Sequence, residues 1–252
     1  NRYLKFDRLY RRAKELGCEY VVTGHYARIE EENGRFLLKK AVDPTKDQSY
    51  VLYSMTQDEL RYTLFPLGGM TKTHTRELAR KLGFYNADKP DSQDICFVPD
   101  GDYASFIRSF TGRDYPRGEF VDKSGNVLGE HRGLIGYTVG QRKGLGIALG
   151  EPRYVTALMP KENRVVLGSN EDLMNRELDA KNFNFIAFDT PPAEFRASAR
   201  VRYRQAEQPA TVRVTGENTV HITFDEPQRA ITKGQAVVVY DGDVVIGGGE
   251  IC

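Results

Sequence analysis

The 252-residue chain reads as an α/β segment followed by β-rich modules, a fold class of α/β plus β, and three observations carry that reading. Apolar residues recur at helical spacing only as far as about residue 112. Within that stretch a helical pattern is followed by a short apolar run, Tyr20-Val21-Val22, and then by Thr23-Gly24, the order of elements in an open α/β sheet. Beyond it, glycine and β-branched residues dominate and turn signals arrive about every eight to twelve residues. The expected domains are residues 1–105 (partial α/β), 106–174 (central, mostly β) and 175–252 (a C-terminal β-barrel).

Each element has a local reason. Phe6, Leu9, Tyr10, Ala13 and Leu16 predict a first helix, with Gly17 placed to end it. Residues 27–42 predict a hairpin turning at Glu32-Asn33-Gly34. A polar loop, Asp43 to Tyr50, follows, and its mix of cation, carboxylate and amide suits either RNA contact or ordinary turn chemistry. Residues 57–65 predict a short helix with Asp58 and Glu59 in its first turn, and residues 72–82 a second one stopped by Gly83. Tyr103, Phe106, Ile107 and Phe110 predict one more, ending near Gly112. Ser124-Gly125-Asn126 marks a hairpin turn. From about residue 177 alternation takes over: Ala197, Ala199, Val201 and Tyr203 alternate with Ser198, Arg200, Arg202 and Arg204, which predicts one strand through all eight. Asp241-Gly242 is a strong type I′ signal, and five or more short strands in this region predict a small barrel.

Composition narrows function. With 40% hydrophobic and 28% charged residues the chain has the make-up of an ordinary globular protein, and it has no run of eighteen apolar residues that would span a membrane. Three widely separated cysteines (Cys18, Cys96, Cys252) build neither a disulfide framework nor a CxxC metal site, so a reducing, cytoplasmic setting is expected. The start, Asn1-Arg2-Tyr3, has neither an initiator Met nor a signal-peptide core, and a segment of a longer chain is expected. Net charge is +1, so bulk electrostatics does not point to nucleic acid, but basic stretches at Arg196–Arg204 and Arg142-Lys143 suit phosphate contact. An arginine on alternate strand positions also suits a plain solvated face. The glycine-rich stretch Gly140-Gln141-Arg142-Lys143-Gly144-Leu145-Gly146 has amides and cations suited to phosphates, yet lacks the GxxxxGK[ST] spacing of a nucleotide loop.

The candidate chemistry centres on Asp91-Ser92-Gln93-Asp94-Ile95-Cys96-Phe97, four polar residues running into an apolar strand after Lys89-Pro90. Two readings of Cys96 are open on spacing alone: a nucleophile facing a cleft, or a small buried hydrophobe. Gly24 would let a nucleotide approach the backbone, and His25 beside it suits either hydrogen bonding or a structural role.

Taken together, Thr23-Gly24-His25-Tyr26-Ala27-Arg28, Lys46-Asp47-Gln48-Ser49-Tyr50, Asp91-Ser92 with Ile95-Cys96-Phe97, the Gly140–Gly146 stretch, Arg202-Tyr203-Arg204-Gln205, Phe224-Asp225-Glu226-Pro227, Gly234-Gln235 and Gly247-Gly248-Gly249 resemble the bacterial tRNA-specific 2-thiouridylases along the whole chain and in order. The resemblance implies an adenine-nucleotide α-hydrolase-like (PP-loop) fold for the first domain. It also implies ATP, as its Mg2+ complex, for adenylating the C2 oxygen of the wobble uridine, and a sulfur-relay protein that delivers a persulfide. Cys96 matches the persulfide-bearing cysteine and Gly24 an ATP contact. His25, Lys46, Asp47, Gln48, Arg202, Tyr203 and Gln235 match positions that face tRNA near its anticodon, and no metal-ligand set is implied. The family's SGGxDS loop and its first catalytic cysteine have no counterpart in this sequence, and neither Cys18 nor Cys252 replaces that cysteine. The expectation is therefore a 2-sulfurtransferase whose adenylation is impaired in this chain alone, the alternative being a tRNA-binding relative without catalysis.

Overall fold

The computed structural model describes residues 6, 8–89, 98 and 102–252, which divide into two compact units. One unit comprises Asn1–Lys89, Arg176–Glu226 and Thr232–Cys252, and the other comprises Pro90–Asn175 and Pro227–Ile231.

In the first unit, α1 (Leu9–Glu15) ends as expected, with Gly17 at φ +71°. β1 (Val21–Val22) lies parallel to β4 (Thr63–Leu64), with Val21 opposite Thr63. This corrects the helix expected over 57–65. α2 (Gln57–Arg61) has the predicted start, a capping box between Thr56 and Glu59, but ends four residues early. The backbone N–H groups of β1 explain the early stop: Val21 donates to Tyr62 O at 2.8 Å and Thr23 to Leu64 O at 3.1 Å, so tertiary pairing overrides helical propensity. β2 (Ala27–Glu32) and β3 (Arg35–Lys40) form the predicted hairpin, with Asn33 and Gly34 both left-handed at φ +52° and +80°. α3 (Lys72–Lys81) starts at a Thr71 cap.

In the second unit, α4 (Tyr103–Thr111) is capped by Asp102 and stopped by left-handed Gly112. β5 (Gly118–Val121), β6 (Val127–His131), β7 (Tyr154–Met159) and β8 (Arg164–Gly168) form a sheet ordered β6-β5-β8-β7, in which β5 and β8 run parallel. Phe120, Tyr137, Leu145, Val155, Val165 and Leu167 make its core.

The rest of the first unit is a closed barrel. β9 (Met174–Phe185), β10 (Glu194–Arg200), β11 (Gln208–Gly216), β12 (Thr219–Arg229), β13 (Ala236–Asp241) and β14 (Val244–Ile251) follow the order β13-β10-β11-β12-β9-β14, and β14 pairs back onto β13. The strand expected through Arg204 ends at Arg200, and residues 201–205 form a turn in which Gln205 N donates to Arg202 O at 3.1 Å. β3 attaches to β14, through Val244 opposite Lys39, so the N-terminal hairpin continues the barrel's sheet. One core results: Phe6, Leu38, Leu52, Met55 and Leu60 pack with Ile186, Val238, Tyr240 and Val245. Gly248 has no room for a side chain against this core, since a Cβ there would lie 2.8 Å from both the Tyr53 ring and Val237 O. Among the described residues, no helix is long and apolar enough to cross a membrane.

Candidate nucleic-acid interface

Asp47 organises one end of the barrel. Its carboxylate is 7% exposed and accepts four hydrogen bonds, from Ala41 N (3.1 Å), Ser49 N (3.2 Å), Ser49 Oγ (2.8 Å) and Arg200 Nη2 (3.1 Å). The turn Asp47–Ser49 forms because the acid accepts from the backbone two residues on, the usual Asx geometry. Arg200, the last residue of β10, is half-buried beside it and donates through Nε and Nη2 to Tyr240 Oη at 3.1 and 2.7 Å. Its guanidinium also lies over the Tyr240 and Tyr50 rings, at 4.9 and 5.2 Å. Burial works against the arginine's charge, but Tyr240 and Asp47 outweigh it and raise its pKa. Burial raises the pKa of Tyr240, Tyr203 and Tyr50, the last to about 12, so all three phenols stay neutral near Arg200.

The residues expected to face tRNA gather around this node. Tyr203 donates its hydroxyl to Asp47 O at 3.1 Å and stands against Tyr50, with ring centroids 6.0 Å apart. Tyr50 in turn donates to Ala236 O at 2.7 Å, next to Gln235. Arg202 reaches Thr232 Oγ1 at 3.5 Å, in the turn that Gln235 closes by donating its N–H to Thr232 O. Lys46, Asp47, Gln48, Arg202, Tyr203 and Gln235 therefore share one end of the barrel although they come from three separate stretches. Their exposure differs: Tyr203 is exposed, Lys46, Arg202 and Gln235 are half-buried, and Asp47 is buried. Gln48 is tied into the fold on both sides, because Tyr26 N donates to its Oε1 at 2.9 Å and its own N–H donates to Tyr26 O at 2.8 Å. A cavity of about 620 Å³ adjoins the node, lined in part by Arg28, Lys40, Pro44, Asp47, Arg200 and Ala206. Its size falls in the range of small-ligand sites.

Gly24 and His25 lie apart from these residues in the chain's local order, just after the parallel strand β1. Gly24 is exposed, and a Cβ there would meet only Leu67 Cδ1, at 3.6 Å. An open glycine beyond a parallel strand fits the rim of a nucleotide site. No phosphate cradle accompanies it among the described residues, so only an edge of such a site is defined. His25 is buried between Phe6 and Phe65 and pairs through Nδ1 with Thr23 Oγ1 at 2.8 Å. Cys96 lies outside the described residues. Among the described residues no group of three or more His, Cys, Asp or Glu side chains is placed to hold a metal.

Sequence reasoning passed over the residues that hold the node together. Arg200, Ser49 and Tyr240 were signalled only indirectly, by a tyrosine closing the otherwise aliphatic run Val237-Val238-Val239 and by a serine two residues after an acid.

The fold defines an α/β segment, a four-stranded mixed sheet and a closed six-stranded barrel. Residues 1–100 match the family described as tRNA methyl transferase HUP domain, residues 104–169 its PRC-barrel domain and residues 175–251 the aminomethyltransferase beta-barrel domain. Among full-length relatives, the tRNA-specific 2-thiouridylase MnmA of Clostridioides difficile is 51% identical over 253 residues, which is 100% of this chain and 70% of that protein. The proteins of the same name from Carboxydothermus hydrogenoformans and Clostridium acetobutylicum are 51% and 48% identical, each over 100% of this chain and over 69% and 71% of their own lengths. The chain belongs to the tRNA-specific 2-thiouridylase family, which are sulfurtransferases.

Proposed function

We propose that this protein replaces the C2 oxygen of the wobble uridine of tRNA with sulfur, and that the outer sulfur of a Cys96 persulfide displaces AMP from the adenylated C2. A second thiol, which this sequence does not supply at the family's position, then attacks Cys96 to close a disulfide as the bond to the transferred sulfur breaks. The observation that supports the reading most is the gathering of Lys46–Tyr50, Arg202-Tyr203 and Gln235 at one end of the barrel, in a chain about half identical to enzymes named for this reaction. In this reading residues 1–105 carry the sulfur chemistry, residues 106–174 form a central module and residues 175–252 hold the tRNA.

ATP, held with Gly24 at one edge of its site, supplies the adenylyl group that makes the C2 oxygen a leaving group. The rest falls to the chain's own residues. Lys46 and Arg202 offer cations to the RNA backbone, and Tyr203 offers an exposed aromatic face on which an unpaired base can stack. The Asp47–Arg200 pair supports that surface from beneath. Asp91 and Asp94 beside Cys96 in sequence would disfavour a thiolate, and a persulfide, intrinsically more acidic, avoids that difficulty. The uridine must leave its stack to expose C2, and the activated base must be kept from water. A sulfur-relay protein is the expected donor, and the reaction is expected in the cytoplasm.

Because adenylation is expected to be impaired in this chain alone, the test is thiolation of tRNA by the chain joined behind the SGGxDS-bearing N-terminal segment of a relative, supplied with ATP and a persulfide donor and compared with its Cys96→Ser variant. Nucleoside mass spectrometry separates oxygen-to-sulfur exchange from methylation. The serine variant is expected to bind tRNA with unchanged affinity and to form no 2-thiouridine. Thiolation by that variant removes Cys96 from its role, and methylation in place of thiolation overturns the assignment.

A further inference from the structure

The glycine-rich stretch Gly140–Gly146 is not used in the function proposed above, and in the second unit it forms an exposed basic loop. Its ends are anchored. Tyr137 and Leu145 sit in the core with Phe120 and Val155. Gly140 N donates to Val155 O at 2.8 Å and Val155 N to Gln141 O at 2.9 Å. Arg229 donates through Nη2 to Gly140 O at 3.2 Å while its Nε holds Asn170 Oδ1 at 3.0 Å. The tip is braced from inside by the Gln141 side chain, which accepts from Thr138 N and donates to Lys143 O, both at 3.0 Å.

What this brace presents is a set of unused donors. Arg142, Lys143 and Gly144 are exposed, and among the described residues neither cation has an ion-pair partner. The N–H groups of residues 142–146 likewise donate to no acceptor among the described residues. Gly140, Gly144 and Gly146 are left-handed, at φ +90°, +74° and +75°. Over Lys143-Gly144-Leu145-Gly146 ordinary and left-handed residues alternate, and such alternation turns successive amides toward one side, the arrangement of an anion-binding concavity. No helix follows the loop, since the chain continues without one to β7, so this is not the loop of a nucleoside triphosphate site. The open surface position and two adjacent cations suit one phosphate after another along a polymer, rather than one enclosed anion.

We propose that the Gly140–Gly146 loop is a phosphate-binding subsite for the RNA backbone, a second point of attachment separate in sequence from the barrel's residues. The inference rests on tRNA being the substrate. The test measures tRNA affinity against salt concentration for the wild type, for Arg142→Ala/Lys143→Ala, and for Lys161→Ala, an exposed cation outside the loop, as a control. The double variant is expected to bind more weakly and to reduce the slope of log K on log salt by about 2, or about 1 per lost cation. Lys161→Ala is expected to leave the slope unchanged, and circular dichroism to be the same for all three. Added inorganic phosphate at constant ionic strength separates the two sources of this chemistry: competition confined to the loop-intact proteins supports the subsite. An unchanged slope in the double variant overturns the proposal, as does an equal loss in Lys161→Ala, which would reflect net charge alone. So does a phenotype confined to sulfur delivery, which would assign the loop to a protein partner. If the wild type binds no tRNA, it is the proposed function that fails, and the two failures stay distinct.

Discussion

The barrel end around Asp47 and the loop around Arg142-Lys143 are alike in sequence, each a polar stretch rich in cations, yet their charges are used in opposite ways. Arg200 is sunk between two tyrosine rings and paired with a buried carboxylate, so its charge serves the fold. Arg142 and Lys143 stand exposed on a braced loop with no ion-pair partner among the described residues. Whether a cation is structural or available to a ligand depends on what lies opposite it in space, and strand alternation or local composition does not report that.

Removing charge from each region tests this contrast most directly. Asp47→Asn leaves the half-buried Arg200 without its counter-charge, and unfolding in urea is expected to show a loss of about 3 kcal/mol, the low end for breaking a buried pair. Adding Arg200→Met to that variant is expected to recover part of the loss, because the unpaired charge is then gone. If Asp47→Asn unfolds like the wild type, the pair is not a structural support and the contrast fails.

A smaller loss is expected from Gly248→Ala, whose methyl would press on the Tyr53 ring and Val237 O. Such overpacking costs about 1–3 kcal/mol, read as a lowered melting temperature. A neutral result would mean that the core shared by hairpin and barrel can yield.

Alkaline titration sharpens the same comparison. Burial raises the Tyr50 pKa from its ordinary 10.0 to about 12. Unfolding releases the phenol to ionise near 10, so stability is intact below that pH and falls as pH rises toward about 12. The denaturation midpoint should drop across this window in step with tyrosinate absorbance, and Tyr50→Phe should flatten the drop. Ionisation of the buried tyrosines well before unfolding would contradict the burial described here.

The smallest effect on stability is expected at the loop proposed to hold the RNA backbone. Arg142→Ala/Lys143→Ala should leave the unfolding free energy within about 0.5 kcal/mol of wild type, the usual range for exposed positions. A larger loss would show that the loop's cations support the fold after all.

Much of the fold was legible. The Asn33-Gly34 turn and the Gly112 stop each report a local backbone requirement, and each appears where the sequence put it, while the turn expected at Asp241-Gly242 falls one residue later, at Gly242-Asp243 between paired Asp241 and Val244. The misses share a cause. Thr63-Leu64 has a local helical pattern but forms a strand, because its hydrogen-bonding partner β1 lies some forty residues away in the chain. Strand β10 stops four residues short of the alternating pattern, because Val201 and Tyr203 keep that pattern through a turn. Of the site residues, the stretches holding Lys46, Arg202 and Gln235 were recognisable in the sequence, while the strut at Arg200 was not, since nothing local distinguishes it from Arg202 and Arg204.

By itself, then, the sequence determined the order of the modules, the family and the stretches that matter, because turns, caps and periodicity are properties of neighbouring residues. Tertiary structure alone decided that the N-terminal hairpin joins the barrel's sheet and that Asp47 meets Arg200 across 153 positions of chain. Those outcomes depend on burying apolar surface and satisfying buried charge between distant segments, and no local window contains both partners.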